Sequence, residues 1–349
     1  MSELLAYVSC ADERVIVTFA MDRSTGALSR RATTSVPGPT DAGPTSPGMS
    51  MPLALSPDRK TLHAAVRLTP YPCSSFAITP ATGALTRIGG ADLPEAMAYI
   101  VIDPSGRNLL GASYPGAMLS STAIGADGAA TGAPRQIIDT PPRAHAIITD
   151  AAGRHAYVPC LGGDVVLQLA INPDTGLLTQ VGRLPTHRGS GPRHMRLSPC
   201  GRIAYVLGEL DATITACTVD AQGRLAAFQT VSTLPHGFVV PDGKRIMAAD
   251  IHLTPNGRFL YASERLSEIL SAWRIGPGGG LAAIGAVATD PMPRGFAIDP
   301  AGRFLLCASQ TTGALRTYAI DPATGALTHI ATTPAGANAN WVEFFETAG

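Results

Sequence analysis

Short runs in which apolar and polar residues alternate occur along the whole chain, as in RIAYVLGE (202–209) and VVLQLAI (165–171). A period of two is typical of β-strands that bury one face. The sequence has no long stretch with apolar residues spaced by three and four, which would predict a helix. Clusters of Asp, Asn, Pro and Gly separate the alternating runs and predict tight turns. The pattern therefore predicts an all-β protein.

Two turn motifs recur and set the architecture. The first, seen in SPCGRIAYVLGE (198–209), places its turn residue at intervals of 47, 47, 48, 56 and 45 residues. The turn residues of the first motif are Arg59, Gly106, Gly153, Gly201, Gly257 and Gly302. The second, seen in NPDTGLLTQ (172–180), has its turn glycine at Gly26, Gly83, Gly128, Gly176, Gly223, Gly279 and Gly325. Two hairpins in each unit of roughly 45–50 residues predict four-stranded propeller blades.

The ends of the chain complete the count of blades. LLAYVSC (4–10) resembles the second strand of a blade, and NANWVEFF (338–345) resembles the first. Pairing these two segments would close the ring and cover two sheet edges. We therefore predict a single domain over residues 1–349, a seven-bladed β-propeller with four antiparallel strands per blade. A Pro/Gly-rich segment, residues 35–50, is expected as a long inserted loop.

Composition narrows the classes of function and partner. Hydrophobic residues make up 45% of the chain, charged residues only 15%, and the formal net charge is zero. This balance argues against a nucleic-acid or anionic membrane partner. Without a membrane-length apolar run or a basic, cleavable leader, the sequence is expected to be cytoplasmic. The six cysteines are scattered, so neither a zinc site nor a disulfide framework is expected.

Ionisable residues gather at two repeat positions that flank the predicted central channel. The innermost strands carry, in blade order, Met51, Ala98, His145, Arg193, Ala249, Arg294 and Asn340. The ends of the second strands carry Ala11, Arg67, Tyr114, Leu161, Glu209, Arg265 and Gln310. Several guanidinium groups around one cavity would repel one another without an anion, and they bind carboxylate or phosphate bidentately. A site for a small anionic molecule is therefore predicted at this end of the channel.

Four stretches carry a resemblance to a known family. They are GPRHMRLSPCGRIAYVLGEL (191–210), ADIHLTPNGRFLYASER (249–265), MPRGFAIDPAGRFLLCASQ (292–310) and WVEFF (341–345). The chain resembles, over essentially its whole length, the bacterial 6-phosphogluconolactonases of the propeller type and the related 3-carboxy-cis,cis-muconate lactonising enzymes. The resemblance implies a lactone-processing enzyme without a metal or other cofactor. It implies site residues at His145, Arg193, Glu209 and Arg265, which the repeat comparison also selects. The inserted loop departs from the bacterial pattern and leaves the substrate open.

Lactone hydrolysis needs an activated water, a stabilised oxyanion and a proton for the departing hydroxyl. We expect His145 and Glu209 to share the proton transfers, and Arg193 and Arg265 to hold the lactone oxygen and the anionic group. The residues expected to bind substrate around them are Arg67, Tyr114, His194, His252, Arg294 and Gln310. Either His145 or Glu209 could be the residue that activates the water.

Other functions fit the same residues. A lactone isomerase or a carboxymuconate cycloisomerase would use the same arginines and acid/base pair. A non-catalytic scaffold is the alternative from another class, but such a protein would show exposed aromatic residues or a charged top face. Here aromatic residues make up only 5% of the chain, and the polar variation lies at the channel positions. The lactone could be phosphorylated or not. The oligomeric state is open as well, and a closed propeller is compatible with a monomer.

Overall fold

Every described part of the chain that forms regular structure belongs to a four-stranded antiparallel sheet, apart from one 3₁₀ turn at Leu161–Gly163. A computed structural model describes residues 2–39 and 49–348 and places seven such sheets there. Residues 40–48 of the predicted inserted loop lie outside the described residues. The prediction of a seven-bladed propeller is confirmed.

The two inner strands of each blade run antiparallel from one end of the channel to the other. The innermost strands are β4 (Leu53–Leu55), β8 (Met97–Ile102), β12 (Ile148–Thr149), β16 (Pro192–Leu197), β20 (Ala248–Leu253), β24 (Pro293–Ile298) and β28 (Ala339–Glu346). The second strands are β1 (Leu4–Cys10), β5 (Thr61–Ala65), β9 (Asn108–Ser113), β13 (His155–Cys160), β17 (Ile203–Gly208), β21 (Phe259–Glu264) and β25 (Phe304–Ser309).

The two outer strands complete each blade. The third strands are β2 (Val15–Met21), β6 (Pro72–Ile78), β10 (Met118–Ile124), β14 (Val165–Ile171), β18 (Thr213–Val219), β22 (Ile269–Ile275) and β26 (Ala314–Ile320). The outermost strands are β3 (Leu28–Ser35), β7 (Leu85–Asp92), β11 (Ala130–Asp139), β15 (Leu178–Pro185), β19 (Leu225–Ser232), β23 (Leu281–Ala288) and β27 (Leu327–Pro334). The outermost strands are largely exposed, whereas most residues of the second strands are buried.

The core lies between the blades rather than inside any one of them. Seven apolar clusters are found among the described residues, and each joins two neighbouring blades. Buried tyrosines reinforce some of these interfaces: the Tyr205 hydroxyl donates to the carbonyl of the turn residue Gly279 in the next blade, at 2.9 Å. Each blade is therefore stabilised mainly by its neighbours, as in other repeat proteins.

The predicted turns have the backbone that their glycines allow. All seven glycines of the second motif, and all six turn residues of the first, have positive φ. Arg59 is the one turn residue of the first motif that is not glycine, and it has φ of 61°. The β28 strand pairs with β1, so the two ends of the described chain share a blade as predicted.

The innermost strand of the fourth blade is the shortest of the seven. In the fourth blade only Ile148–Thr149 is regular strand, and Ala144 makes a single bridge to Cys160. The neighbouring strand contains Pro159, which has no amide hydrogen to give to the ladder. The segment between the bridge and β12 includes His145, whose amide donates to the Pro159 carbonyl at 2.9 Å. This break lets His145 sit at the channel without regular strand pairing.

Candidate active site

The side chains at the two repeat positions that flank the channel form two rings. These rings meet at one end of the channel, which we call the upper mouth. It lies where the innermost strands begin and the second strands end. In five blades the strand pairing shifts register at the ring position, and a β-bulge of this kind redirects a side chain. The residues at these bulges are Ala98, Arg193, Ala249, Arg294 and Asn340. The bulges therefore give the channel positions a conformation distinct from the regular ladder.

Arg193 is the most buried charged group of the upper mouth, with a side chain only 2% exposed. Its Nε lies 2.7 Å from Glu209 Oε2. Its Nη1 donates to the Ala249 carbonyl and lies 3.1 Å from His194 Nε2. Burial lowers the pKa of Arg193 to about 10, still far above neutrality. The guanidinium is thus charged and fixed on several sides.

Glu209 joins two arginines from neighbouring blades. Its Oε1 lies 3.1 Å from Arg265 Nη2, and Arg265 Nε donates to the Met247 carbonyl at 2.8 Å. Burial raises the pKa of Glu209, but the neighbouring guanidinium groups, Arg193 first among them, lower it by more, so the net shift is downward. Glu209 is therefore a carboxylate at neutral pH and is occupied by two ion pairs.

Positive charge accumulates beyond this ion-paired group. Arg294 Nη1 donates to Gln310 Oε1 at 3.3 Å, and Gln310 Nε2 donates to Asn338 Oδ1 at 2.8 Å. Arg67 Nη1 donates to Ser50 Oγ at 3.3 Å. Burial, and after it the neighbouring guanidinium groups, hold the pKa of Arg294 well below its ordinary value. Four guanidinium groups thus share the upper mouth with the carboxylate of Glu209, an electrostatic environment that favours an anion.

His145 lies against this cluster with its ring edge-on to two others. The ring centroids are 5.6 Å from Tyr114 and 5.2 Å from His194. Burial, and after it the charge of Arg193, hold the pKa of His145 well below its ordinary value. Its Nδ1 is buried and has no hydrogen-bond partner among the residues that the structure describes. His145 is therefore a neutral imidazole in a setting that disfavours its protonated form.

Asp250 is a member of this network that the sequence comparison did not select. Its Oδ1 lies 2.8 Å from His194 Nδ1, and its Oδ2 lies 3.1 Å from His252 Nε2. Burial, and after it the charge of Arg193, lower the pKa of His194 to about 3. The neutral ring can then keep a proton on Nδ1 for Asp250 while Nε2 accepts from Arg193. The sequence did contain a signal for Asp250, because this residue begins the D-I-H stretch and directly follows the ring residue Ala249.

The structure places His252 apart from the upper mouth. This residue contacts Asp250, Arg196 and the ring of Phe296, whose centroid is 4.8 Å away. It lies three residues beyond Ala249 on β20, which is about 10 Å along a strand. His252 therefore faces the opposite end of the channel, with Asp250 between it and the upper mouth. The other nine predicted site residues lie at the upper mouth or in direct contact with its members.

The fold and this site define a class of protein. A family model described as lactonase, seven-bladed β-propeller, matches residues 6–344, and the chain belongs to that family. It is accordingly an enzyme of the lactonase class, as the sequence resemblance predicted.

Individual relatives narrow the class. The 6-phosphogluconolactonase of Pectobacterium carotovorum is 37% identical over 300 residues, covering 85% of this chain and 88% of the relative. The 6-phosphogluconolactonase of Sodalis glossinidius is 33% identical over 342 residues, covering 97% and 98%. A solved structure from Bacteroides fragilis is 26% identical, with a TM-score of 0.86 and 98% of each chain covered. The chain is therefore similar to these proteins from end to end.

Two further predictions bear on where the protein works and what it needs. No helix among the described residues is long and apolar enough to cross a membrane. A solved periplasmic gluconolactonase of Pseudomonas aeruginosa shares the fold, with 24% identity, a TM-score of 0.86 and all of both chains covered. Cytoplasmic location therefore stays a prediction.

Within residues 2–39 and 49–348, no group of three His, Cys, Asp or Glu side chains could hold a metal ion. Independence from metals also stays a prediction.

Proposed function

We propose that this protein hydrolyses an anionic sugar-acid lactone, with 6-phosphogluconolactone as its substrate, by metal-independent acid/base catalysis at the upper mouth. The observation that carries this proposal is the set of four guanidinium groups around one ion-paired carboxylate and one neutral imidazole. The names of the curated relatives support the choice of lactone. Because lysine is scarce, arginine would bind the phosphate.

His145 activates the water in this proposal. The water oxygen attacks the lactone carbonyl carbon while its proton passes to the imidazole. The pKa of His145 is low in the free enzyme, but a bound anion offsets the neighbouring guanidinium charge and raises it. The protonated imidazole then gives its proton to the ring oxygen as the carbon–oxygen bond breaks. The products are a hydroxyl group and a carboxylic acid, which loses its proton to solvent.

The arginines stabilise the charge that develops during this attack. The carbonyl oxygen becomes an oxyanion in the tetrahedral intermediate, and preorganised donors lower the energy of that state more than that of the substrate. Arg193 and Arg265 are preorganised because both pair with Glu209. Glu209 therefore acts mainly by fixing these two groups. In this proposal Arg67 and Arg294 bind the phosphate, with Tyr114 and Gln310 beside them.

The test is a hydrolysis assay on freshly prepared lactones, followed by pH-stat or NMR, with and without EDTA. We expect 6-phosphogluconolactone to open faster than unphosphorylated gluconolactone and galactarolactone, at a rate that EDTA does not change. A preference for an unphosphorylated lactone would refute the proposed substrate. Loss of activity in EDTA would refute the proposed metal independence.

A variant tests the assignment of His145 as the base. His145→Ala should lose most of the hydrolytic rate, by at least about 100-fold, because the base is gone. Full activity of folded His145→Ala would exclude it as the base. Failure to open any of the three lactones would instead favour a lactone isomerase or a carboxymuconate cycloisomerase at the same site, and after these a binding scaffold.

A further inference from the structure

The opposite end of the channel carries a second set of ionisable side chains, which we call the lower mouth. It lies three residues beyond the upper ring on each innermost strand, about 10 Å away. The ring residues there are Ala54, Val101, Ile148, Arg196, His252, Ala297 and Glu343. Four of the seven are apolar and three are ionisable. If this repeat position served only the fold, all seven blades would carry similar residues there. The blades differ at this position, which indicates that the three ionisable residues serve a further purpose.

One turn residue adds a charge at the same place. Arg59 has φ of 61° at a turn position where five other blades have glycine. A side chain in this left-handed region costs energy that glycine avoids, but nine other non-glycine residues among those described also have positive φ, so the charge rather than the backbone distinguishes this turn. The guanidinium donates to the Phe344 carbonyl, and its carbon lies 5.9 Å from the ring centroid of Phe345. The turn thus places a positive charge against the last strand at the lower mouth.

The lower mouth contains enough space for a ligand. One cavity of about 680 Å³ lies towards the second to fifth blades, and another of about 260 Å³ lies towards the first, sixth and seventh. Both are lined by Arg59, Arg196 and Glu343. Small-molecule sites typically occupy about 300–1,000 Å³ and combine apolar walls with a few polar groups. Val101 and Ile148 supply apolar wall to the larger cavity.

The polar groups of the lower mouth are held by aromatic neighbours. Arg196 Nη1 lies 3.1 Å from the Tyr99 hydroxyl, and Trp341 Nε1 donates to Glu343 Oε1 at 3.0 Å. Burial raises the pKa of Glu343, while Trp341, Arg196 and Arg59 lower it and Asp250 raises it further, for a net upward shift. Tyr99 and Trp341 thus hold Arg196 and Glu343 in place at the wall of the cavities.

We propose that the lower mouth binds a small monocarboxylate with a compact apolar body, of the aromatic-acid type. Its carboxylate contacts Arg59 and Arg196, and its body packs against the wall formed by Val101 and Ile148. This ligand differs from a polyhydroxylated lactone, which would leave its hydroxyl groups unsatisfied against that wall. The site is separate from the proposed hydrolysis, and its occupancy does not depend on lactone turnover.

Trp341 provides a direct reporter because the chain has only two tryptophans. In a Trp273→Phe variant, the fluorescence of Trp341 would be followed during titration with benzoate, and calorimetry would measure binding independently. We expect saturable binding with a dissociation constant of about 1 mM or lower. Benzamide, the uncharged counterpart, and gluconate, a polar carboxylate, should each bind at least about tenfold more weakly.

Variants assign the binding to this place. In the same background, Arg196→Met should weaken benzoate binding at least about tenfold. Arg59→Gly should weaken it similarly and keeps the fold, because other blades have glycine there. Arg202→Ala, at an exposed arginine beside an equivalent turn, should bind as before, and so should Glu209→Gln, in which the proposed hydrolysis is impaired. Absence of binding, equal binding of benzamide, or unchanged binding in both Arg196→Met and Arg59→Gly would overturn the proposal.

Discussion

The two mouths of the channel are built from the same strands and differ in almost every physical property. At the upper mouth the charged side chains are nearly buried and bound to one another, as the 2% exposure of Arg193 illustrates. At the lower mouth the ionisable groups line cavities and face an apolar wall. Three residues of strand separate the two environments. A propeller blade thus fixes the backbone once and leaves its two ends free to differ.

The largest expected effect would remove the carboxylate on which the upper mouth is centred. Glu209→Gln should reduce kcat/KM for lactone hydrolysis by about 1,000-fold, because two oxyanion-binding arginines lose the charge that fixes them. The measurement is the initial rate of lactone opening over a range of substrate concentrations. Arg202→Ala is the matched control and should keep the wild-type rate. A folded Glu209→Gln enzyme with wild-type kcat/KM would remove Glu209 from the site.

A smaller loss of kcat/KM is expected when the positive charge at position 193 is kept but the planar guanidinium group is lost. Arg193→Lys should reduce kcat/KM by about 100-fold, because one ammonium cannot reach Glu209, the Ala249 carbonyl and His194 together. Arg202→Lys, at an exposed position, should change nothing. Equal rates in wild type and Arg193→Lys would mean that only the charge matters at this position.

Stability should be most sensitive between the two mouths, at Asp250. Asp250→Asn should lower the free energy of unfolding by about 3 kcal/mol, because a buried charge that holds two histidines is lost. Urea denaturation measures this change, and Asp174→Asn on an exposed turn should remain within about 0.5 kcal/mol of wild type. If both variants were equally stable, the histidines would not depend on the carboxylate.

Acid should destabilise the protein through the buried histidines before its carboxylates titrate. The pKa of His194 is lowered to about 3 in the folded protein, whereas in the unfolded chain it is about 6.5. The unfolded chain therefore binds more protons between these values, and stability falls as pH falls below about 6.5. Between pH 6.5 and 5, His194→Gln should remove up to about 1.4 kcal/mol per pH unit of this slope.

The measurement is the unfolding free energy of wild type and of His194→Gln across this pH range, which gives the two slopes to compare. An unchanged slope in His194→Gln would show that this ring is not held in its neutral form.

The smallest expected effect concerns the backbone at the lower mouth. Arg59→Gly should change the free energy of unfolding by no more than about 1 kcal/mol, since relief of left-handed strain offsets the lost contact with Phe345. Lactone hydrolysis should be unaffected because the turn lies at the other end of the channel. A loss of several kcal/mol would mean that Arg59 holds the last strand in place.

The sequence was most informative where the repeat supplied its own comparison. Glu209 and Arg265 could be placed together because both follow a second strand at the same distance from a turn. The location of His252 could not be predicted, because a motif shows which residues are neighbours in sequence but not which way a bulged strand directs them. Asp250 was missed because its role depends on contacts with two histidines, one of them from the adjacent blade. The cavities of the lower mouth depend on packing and could not be predicted from any single position.

The pairing of β28 with β1 has a consequence for the order of events during synthesis. These strands are separated by nearly the whole sequence, so this pairing makes the most distant contact in the ring, and contacts of such separation form slowly. The channel has a gap in its wall until β28 arrives, and that strand brings Asn340 to one end and Glu343 to the other. A nascent chain that has already built six blades therefore has neither mouth complete. Among the described strands β28 is synthesised last, and it is the one that closes both mouths.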